Sequence, residues 1–221
     1  MQRGLFSEAP SSAVPILPDD GEASYYRAFL PATQADELFA HLEREVPWRQ
    51  ERIRMYGVER LMPRLTAWYG DAVAQYTYSG LKNDPLPWLP ALADLRDRLE
   101  RATGARFNSA LLNLYRDGSD SVSWHADDEP ELGARPTIAS VSLGAERVFE
   151  LSHVADGRRV KCLLEHGSLL VMSGDSQRCW RHRIAKVRAI EHSRINLTFR
   201  EVAARPNAEE RAKTDGRSDA R

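Results

Sequence analysis

The residues with the clearest potential for chemistry lie at positions 124–129, which contain the pattern His125-x-Asp127. A further histidine, His182, follows in a later segment that begins at Trp180. Two neutral imidazoles and one carboxylate can bind one face of a non-haem Fe(II) ion and leave positions open for a cosubstrate and O₂. Residues two positions apart on a β-strand point to the same side, so His125 and Asp127 are predicted to face one cavity.

His182 is the best candidate for the third ligand because of its sequence context. The chain has six histidines, and a His-x-Asp pattern alone arises often by chance. His182 lies in a strand-like segment between Trp180 and Ile184. The other candidates lie in a helix, a hairpin, a turn and a polar loop, at His41, His153, His166 and His192. We therefore predict a metal site formed by His125, Asp127 and His182.

A segment near the end of the chain supplies a candidate cosubstrate site. Its polar residues alternate with apolar ones, as on a strand with two different faces, and they are Arg194, Asn196, Thr198 and Arg200. Two arginines on a core strand are costly to bury unpaired, and a dicarboxylate such as 2-oxoglutarate would offset that cost. Asn113 and Tyr115 alternate in the same way and could complete the pocket. The alternative is an edge strand with solvated arginines and ordinary strand polarity.

The elements that would position these residues differ between the two halves of the chain. Two helices are predicted in the first half, one from a Thr33 cap to Pro47 and one that ends at Gly104. Short runs bounded by Gly, Asp and Pro then predict eight strands, at 107–115, 121–126, 137–143, 147–153, 158–164, 168–173, 178–184 and 194–200. We predict a mainly β fold with flanking helices, a double-stranded β-helix (jelly roll, cupin-like) with an N-terminal helix and hairpin substrate lid.

The length of 221 residues suits one domain with a full core. We expect a flexible arm over residues 1–20, a single domain over 21–204 and a disordered, charged tail over 205–221. Within the domain, residues 21–105 would form the helices and a nucleotide-recognition lid, and residues 106–204 the jelly-roll core.

The composition, 42% hydrophobic and 29% charged, is typical of a soluble protein. No apolar run reaches membrane-spanning length, and the first residues lack the hydrophobic region of a signal peptide. The two cysteines, Cys162 and Cys179, are too few for a disulfide framework. We therefore expect a cytoplasmic protein that does not associate with membranes. Composition does not determine the oligomeric state, for which we expect a monomer.

Two segments carry local positive charge although the formal net charge is −1. Residues 48–64 contain five arginines and are either a solvated strand pair or a hairpin that faces a nucleic acid. In the second case, arginines would meet phosphates and the tip at 55–57 would probe the base stack. Residues 178–188 contain five more basic residues, Arg178, Arg181, Arg183, Lys186 and Arg188, which would either meet phosphates or line a solvated loop.

An ordered set of motifs resembles the AlkB family of Fe(II)/2-oxoglutarate dioxygenases, which demethylate nucleic-acid bases. The resemblance spans residues 63–202, and its motifs lie at 113–118, 125–129, 138–144, 166–172, 182 and 194–200. The ordered set is far more specific than any one of its members. Residues 69–71 and 76–81 are most similar to the branch that includes the nuclear double-strand DNA repair enzymes of animals.

The resemblance implies roles for individual residues. The implied iron ligands are His125, Asp127 and His182. The implied 2-oxoglutarate-binding residues are Arg194, Asn113 and Tyr115 at the distal carboxylate, and Arg200, Asn196 and Thr198 at the end next to the iron. The implied substrate-binding residues are Tyr78, which would stack on the flipped base opposite His125, Tyr56, which would fill the gap that the base leaves, and Arg64, Ser79, Asp128 and Glu129.

The implied function is repair of 1-methyladenine and 3-methylcytosine in DNA with Fe(II), 2-oxoglutarate and O₂, releasing formaldehyde, succinate and CO₂. The expected partner is alkylated DNA, single- or double-stranded, with RNA as a further option. Both bases are cationic, which would favour an aromatic face such as Tyr78 and a carboxylate such as Glu129 or Asp128. The alternative is a hydroxylase of the same chemistry that acts on RNA, a protein side chain or a small molecule.

Overall fold

Two antiparallel sheets form the frame of the protein, whose computed structural model describes residues 12–55, 58–72, 74, 76–78 and 81–203. Within these residues the larger sheet has, in spatial order, strands β1 Val14–Pro15, β2 Glu22–Tyr26, β13 Ser168–Ser173, β10 Ile138–Gly144, β15 Arg194–Arg200, β8 Ser109–Tyr115 and β5 Leu65–Gly70. The smaller sheet has β12 Arg159–Leu164, β11 Arg147–His153, β14 Trp180–Ile184 and β9 Val122–His125. Two hairpins stand apart from these sheets: β3 Arg52–Met55 with β4 Val58–Leu61, and β6 Tyr76–Tyr78 with β7 Leu81–Asn83.

The eight strands predicted for the second half of the chain are confirmed, with bounds that agree within two residues. Their alternating patterns reflect one covered and one solvated face, as in β12, whereas β13 and β15 are almost wholly buried. β13 is a nearly continuous apolar run, as expected of a strand covered on both faces, whereas the alternating polar residues of β15 line a cavity between the sheets. The predicted jelly-roll architecture with flanking helices is therefore the observed one.

The core has two layers, one on each face of the larger sheet. Between the sheets, Ile138 and Leu170 pack with Leu151 and Trp180 of the smaller sheet. On the opposite face, the helices add a second layer that includes Leu42, Leu92, Leu99, Leu112 and Leu197. Each fully buried leucine contributes about 2 kcal/mol relative to an exposed one. The larger sheet is thus held rigid from both sides, and it can present polar side chains at fixed positions.

Two long helices cover that outer face, α1 Ala32–Glu45 and α2 Pro90–Thr103, and a single helical turn, α3 Ser176–Cys179, precedes β14. The prediction of a Thr33 cap is wrong, because α1 begins after Pro31 without a side-chain cap. The end before Pro47 is confirmed, since Val46 is extended as a residue preceding proline prefers to be. Gly104 ends α2 in the left-handed conformation, with φ of 70°. No described helix has the length and apolarity needed to cross a membrane.

The outer edge of β5 is covered by the backbone of two segments, one just before the β3–β4 hairpin and one just after the β6–β7 hairpin. Arg49 and Thr66 exchange N–H···O bonds of 3.0 and 2.8 Å. Farther along the same edge, the Gly70 N–H donates to the Leu86 carbonyl and the Leu86 N–H donates to Trp68. The hairpin predicted in residues 48–64 is present as β3 and β4, and its tip at 56–57 lies outside the described residues.

Residues 12–20 differ from the expected flexible arm. Strand β1 pairs with β2, and Leu17 is buried in the core. The Asp19 carbonyl accepts a hydrogen bond from the Trp180 indole, and its carboxylate pairs with Arg158. These contacts hold the segment against the smaller sheet, a result that its low sequence periodicity could not indicate. The rest of the arm and the tail after residue 203 lie outside the described residues.

The loop between β8 and β9 is fastened to residues 185–190, here called the basic loop because it carries Lys186 and Arg188. The Gly118 N–H donates to the Ile190 carbonyl at 2.7 Å, and the Val187 N–H donates to the Gly118 carbonyl at 2.8 Å. A Cβ atom on Gly118 would lie 1.7 Å from the Val187 oxygen. Only glycine therefore permits this approach of two backbones.

We expect Gly118→Ala to destabilise the protein by about 2 kcal/mol, because the two loops must move apart to admit a methyl group. Thermal or denaturant unfolding measures this loss. The control is Gly104→Asn, at a left-handed position where an added Cβ meets nothing within 4 Å and asparagine tolerates the backbone. Equal stability of the two variants would contradict the proposed close packing of the loops.

Candidate active site

A cavity of about 60 Å³ lies between the two sheets and gathers most of the polar residues singled out from the sequence. The larger sheet contributes Asn113, Tyr115, Ser140, Arg194, Asn196, Thr198 and Arg200. The smaller sheet and the segment after it contribute His125, Asp127, Glu129, Phe149 and His182. Inward-facing polar side chains from both sheets therefore meet in one place.

The three predicted metal ligands come together on the side of the smaller sheet. Nitrogen or oxygen atoms of His125, Asp127 and His182 all lie within 4.8 Å of one another. His125 and His182 are register partners across the β9–β14 pair, and their ring centroids are 4.3 Å apart. His125 and Asp127 face one cavity as predicted, although Asp127 lies just beyond the end of β9 and not on the strand itself.

Other contacts hold Asp127 in position. Its backbone N–H donates to Oε1 of Gln177 at 3.0 Å, from the helical turn α3. Its carboxylate accepts a hydrogen bond of 2.8 Å from Nη2 of Arg200. Burial would raise the pKa of the Asp127 carboxyl, but Arg200, His182 and His125 outweigh it and hold the pKa at about 2. The carboxylate is therefore ionised and oriented at neutral pH.

Both histidines can offer a ring nitrogen to a cation in the cavity. The Nδ1 atom of His125 lies 2.8 Å from the Ser123 carbonyl oxygen, which can only accept, so Nδ1 donates this hydrogen bond and Nε2 is the ring nitrogen left to bind a metal. Burial and the neighbouring His125 lower the pKa of His182 to about 3. Phe149 stacks on the His182 ring with centroids 5.0 Å apart and fixes its plane. This donor set fits a divalent metal with open positions on the cavity side.

Arg194 lies fully buried at the opposite end of the cavity. Its Nη2 donates to Oγ of Ser142 at 2.9 Å, and its guanidinium carbon lies 5.1 Å from the Tyr115 ring centroid. Its Nε and Nη1 atoms have no hydrogen-bond partner within the described part of the chain. Burial lowers the pKa of Arg194 to about 10, so it stays charged at neutral pH. Unsatisfied buried donors on a cation fit a carboxylate ligand.

A hydrogen-bonded row connects the two ends of the cavity. Asn113 and Asn196 are register partners, and Thr198 donates to Oδ1 of Asn196 at 3.0 Å. Arg64 donates from Nε to Oδ1 of Asn113 at 2.7 Å and is only 5% exposed. Arg64 therefore lines the cavity and is not one of the phosphate-facing arginines expected in residues 48–64.

The predicted substrate-binding residues separate into three groups. Glu129 lines the cavity, and its Oε2 is buried without a hydrogen-bond partner among the described residues. Asp128 is exposed and is not among the residues that line the cavity. Tyr56 and Ser79 lie outside the described residues, and Tyr78 is described only as part of the backbone of β6.

The basic residues near β14 are not all equally available to phosphates. Arg183 donates to Glu150 and lies over the Trp124 ring at 4.5 Å. Arg178, Arg181, Lys186 and Arg188 are exposed, and Arg178 forms a surface pair with Asp175. Arg183 is therefore the member of the expected set that is already engaged with the protein.

Sequence reasoning missed two residues that shape the site. Gln177 fixes the backbone of Asp127, and Phe149 fixes the ring of His182. Phe149 is one of the inward positions of an alternating strand, so its periodicity could have indicated a cavity position. Gln177 lies in a short helical turn, and no pattern in the sequence marks it.

Comparison with known proteins agrees with this geometry. The family model described as the 2OG-Fe(II) oxygenase superfamily matches residues 22–200. The rat protein named alpha-ketoglutarate-dependent dioxygenase alkB homolog 3 is 44% identical over 191 residues, which are 82% of this chain and 64% of the relative. The human protein named DNA oxidative demethylase ALKBH2 is 39% identical over 188 residues, which are 80% of this chain and 72% of the relative.

The chain spans just under two thirds of the length of the alkB homolog 3 relatives that it matches. The solved structure of OsALKBH1 covers 85% of this chain and 100% of its own, with a TM-score of 0.60 at 16% identity, and thus shares the fold. The resemblance noted in the sequence is confirmed by these matches. The chain belongs to the AlkB family of the 2OG-Fe(II) oxygenase superfamily, whose chemistry uses Fe(II), 2-oxoglutarate and O₂.

Proposed function

We propose that this protein is an oxidative demethylase that repairs 1-methyladenine and 3-methylcytosine in DNA and releases formaldehyde, succinate and CO₂. The observation that carries the proposal is the buried Oε2 atom of Glu129, which faces the metal cavity without a partner among described residues. An unpaired carboxylate oxygen in such a position is costly unless a donor or cation occupies the cavity. Both methylated bases carry a positive charge and present N–H donors, which complement that oxygen.

The relatives support this choice of substrate class. The human relative is named a DNA oxidative demethylase, and it shares 39% identity with this chain. A cationic base also gives up less pairing when it leaves the duplex than a correctly paired one, which favours its selection. Exposed Arg181, Lys186 and Arg188 lie on and after the strand that carries His182, where they can meet the phosphates on either side of the target base.

We assign roles in the reaction to the residues of the cavity. When bound, iron with 2-oxoglutarate and O₂ supplies the oxidation of the N-methyl carbon. His125, Asp127 and His182 would hold the metal, and Arg194 would bind the distal carboxylate of 2-oxoglutarate with Asn113 and Tyr115 beside it. Arg200, which is bonded to Asp127, would stabilise the carboxylate next to the metal.

The remaining cavity residues complete the cosubstrate pocket and orient the base. Asn196 and Thr198 form the polar wall between the two ends of the cavity, and Arg64 keeps Asn113 in place. Glu129 would orient the base so that its methyl group faces the metal. The hydroxymethyl group formed on the base nitrogen then loses formaldehyde as the nitrogen regains its lone pair.

The test is a single-turnover experiment with methylated oligonucleotides. The protein is loaded with Fe(II) and 2-oxoglutarate without oxygen and mixed with DNA or RNA that carries 1-methyladenine or 3-methylcytosine. After O₂ is admitted, the amounts of succinate and of repaired base are measured. Equal amounts of the two products on methylated DNA support the proposal. Succinate without repaired base on either nucleic acid would instead favour a hydroxylase of a protein or small molecule.

We expect Glu129→Gln to lower kcat/KM for 1-methyladenine in DNA about tenfold, because the cationic base loses a charge-assisted contact. The matched control is Asp128→Asn, which removes the neighbouring carboxylate that does not line the cavity. Repaired base is quantified under the same conditions for both variants. A similar loss in both variants would show that general negative charge, and not the position of Glu129, accounts for the effect.

A further inference from the structure

Arg147 is a buried cation that the proposed chemistry does not use. It begins β11 and is 1% exposed. Its hydrogen bonds to described residues all go to backbone carbonyls: Asp117 at 3.3 Å, Asp120 at 3.0 Å and Ala185 at 2.6 Å. Its Nε atom has no partner among the described residues. Burial lowers the pKa of Arg147, and the nearby Tyr115, Asp120 and Asp117 offset this only in part, so the retention of this buried cation calls for a physical reason.

The first part of that reason is the position of Arg147 beside the cosubstrate end of the cavity. Its guanidinium carbon lies 5.6 Å from the Tyr115 ring centroid, and that of Arg194 lies 5.1 Å from the same centroid. Tyr115 is itself 3% exposed. Two buried cations therefore share one aromatic ring, and the charge of Arg147 disfavours the charge of Arg194.

The second part is the set of loops that Arg147 holds together. Asp117 and Asp120 belong to the loop between β8 and β9, and Ala185 begins the basic loop. The same two loops are joined through Gly118, as described above. Arg147 is thus the side chain that ties the basic loop to the wall of the cosubstrate cavity.

We infer that Arg147 is a positioning residue through which a dicarboxylate in the cavity stiffens the basic loop. A carboxylate on Arg194 neutralises one of the two cations that face Tyr115, which removes the repulsion on Arg147. Repulsion from Arg194 then no longer weakens the hydrogen bonds from Arg147 to the three carbonyls. The basic loop therefore separates less often from the loop between β8 and β9. Because coupling between two sites is reciprocal, nucleic acid on the basic loop also favours the bound dicarboxylate. This last consequence rests on the proposed function, whereas the stiffening does not.

Amide hydrogen exchange of the anaerobic Fe(II) protein tests the stiffening directly. The reporter amides are those of Gly118, Val187 and Ile190, which are hydrogen-bonded between or within the two loops. We expect 2-oxoglutarate to slow their exchange about fivefold, at the lower end of usual coupling strengths. Amides of α2, on the far side of the larger sheet, serve as the internal control and stay unchanged. Exchange at the reporters that is unaffected by 2-oxoglutarate would overturn the inference.

Two comparisons identify the trigger and the relay. Saturating 2-oxobutanoate keeps the 2-oxo acid group but lacks the distal carboxylate, and it should not slow the reporters. Arg147→Met should abolish the effect of 2-oxoglutarate, and Arg147→Lys, the variant more certain to fold, should diminish it because lysine cannot bond three carbonyls in the same plane. An undiminished effect in either variant, or an equal effect of 2-oxobutanoate, would contradict the relay.

The nucleic-acid arm separates this inference from the proposed function. We expect 2-oxoglutarate to strengthen binding of a methylated single-stranded oligonucleotide about fivefold in the wild-type protein and not in Arg147→Met. The negative charge of bound 2-oxoglutarate would by itself repel the oligonucleotide and weaken its binding. Stronger binding therefore indicates coupling through the protein and not a direct effect of charge. Slowed exchange without any oligonucleotide binding would contradict the proposed function and support the link through Arg147.

Discussion

His182→Ala is expected to lower coupled turnover by more than about 100-fold, because even residues that only support metal ligands cost 10- to 100-fold when removed. The side chain is 4% exposed and is held as a neutral ring by burial, so its loss leaves two donors and an unfilled volume. Succinate and repaired base are measured together with the affinity for Fe(II). The loss should be in metal affinity as well as in turnover.

The control for this variant is His192→Ala, which removes an exposed histidine of the loop before β15. It should retain wild-type turnover and Fe(II) affinity. Full turnover in His182→Ala would show that the third ligand lies elsewhere. Because His182 packs against Phe149, the folded state of the variant is verified by its cooperative unfolding before turnover is compared.

Arg194→Met is expected to raise the Kd for 2-oxoglutarate by more than about 100-fold, since a charge-assisted bond to a buried carboxylate is worth roughly 3 kcal/mol. The same substitution should leave the protein without ligands as stable as the wild type, or more stable. The reason is that it replaces a buried cation with two unsatisfied nitrogens by an apolar side chain of similar length. Affinity for the cosubstrate and stability should therefore change in different directions.

Titration calorimetry with 2-oxoglutarate and chemical denaturation without it measure the two quantities. Arg188→Met is the matched control, because Arg188 is an exposed arginine of the basic loop. It should change neither quantity, although it should weaken binding of an oligonucleotide. A large loss of stability in Arg194→Met would mean that Ser142 and Tyr115 already satisfy this arginine, and that it does not await a ligand.

Much of the scaffold could be predicted because strand periodicity and turn residues are local signals. The alternation in Arg194–Arg200 indicated both the central strand and the polar face of the cavity. The sequence predicts His125 and His182 as two ligands of one metal, and the pairing of β9 with β14 places them side by side. In these cases the direction in which a side chain points follows from the position of its residue on a regular strand.

The parts that could not be predicted depend on tertiary contacts that no local pattern records. Asp127 lies beyond its strand and is positioned by Gln177 and Arg200, which are distant in sequence. Arg64 and Arg183 both belong to basic stretches that suggest solvent or phosphate contacts. One is buried on Asn113 and the other is paired with Glu150, because arginine reaches several ångströms from its backbone and its partner is set by the fold.

The backbone bonds that cover the edge of β5 have a consequence for how this enzyme can diversify and remain soluble. An uncovered strand edge invites pairing with another chain and aggregation. Here the edge is covered by main-chain atoms of Arg49, which precedes the first hairpin, and of Leu86, which follows the second. Side chains in the hairpins can therefore be exchanged without exposing the edge, whereas deletion of either flanking segment would expose it. Protection against aggregation thus depends on the backbone of the flanking segments and tolerates changes in the hairpin sequences between them.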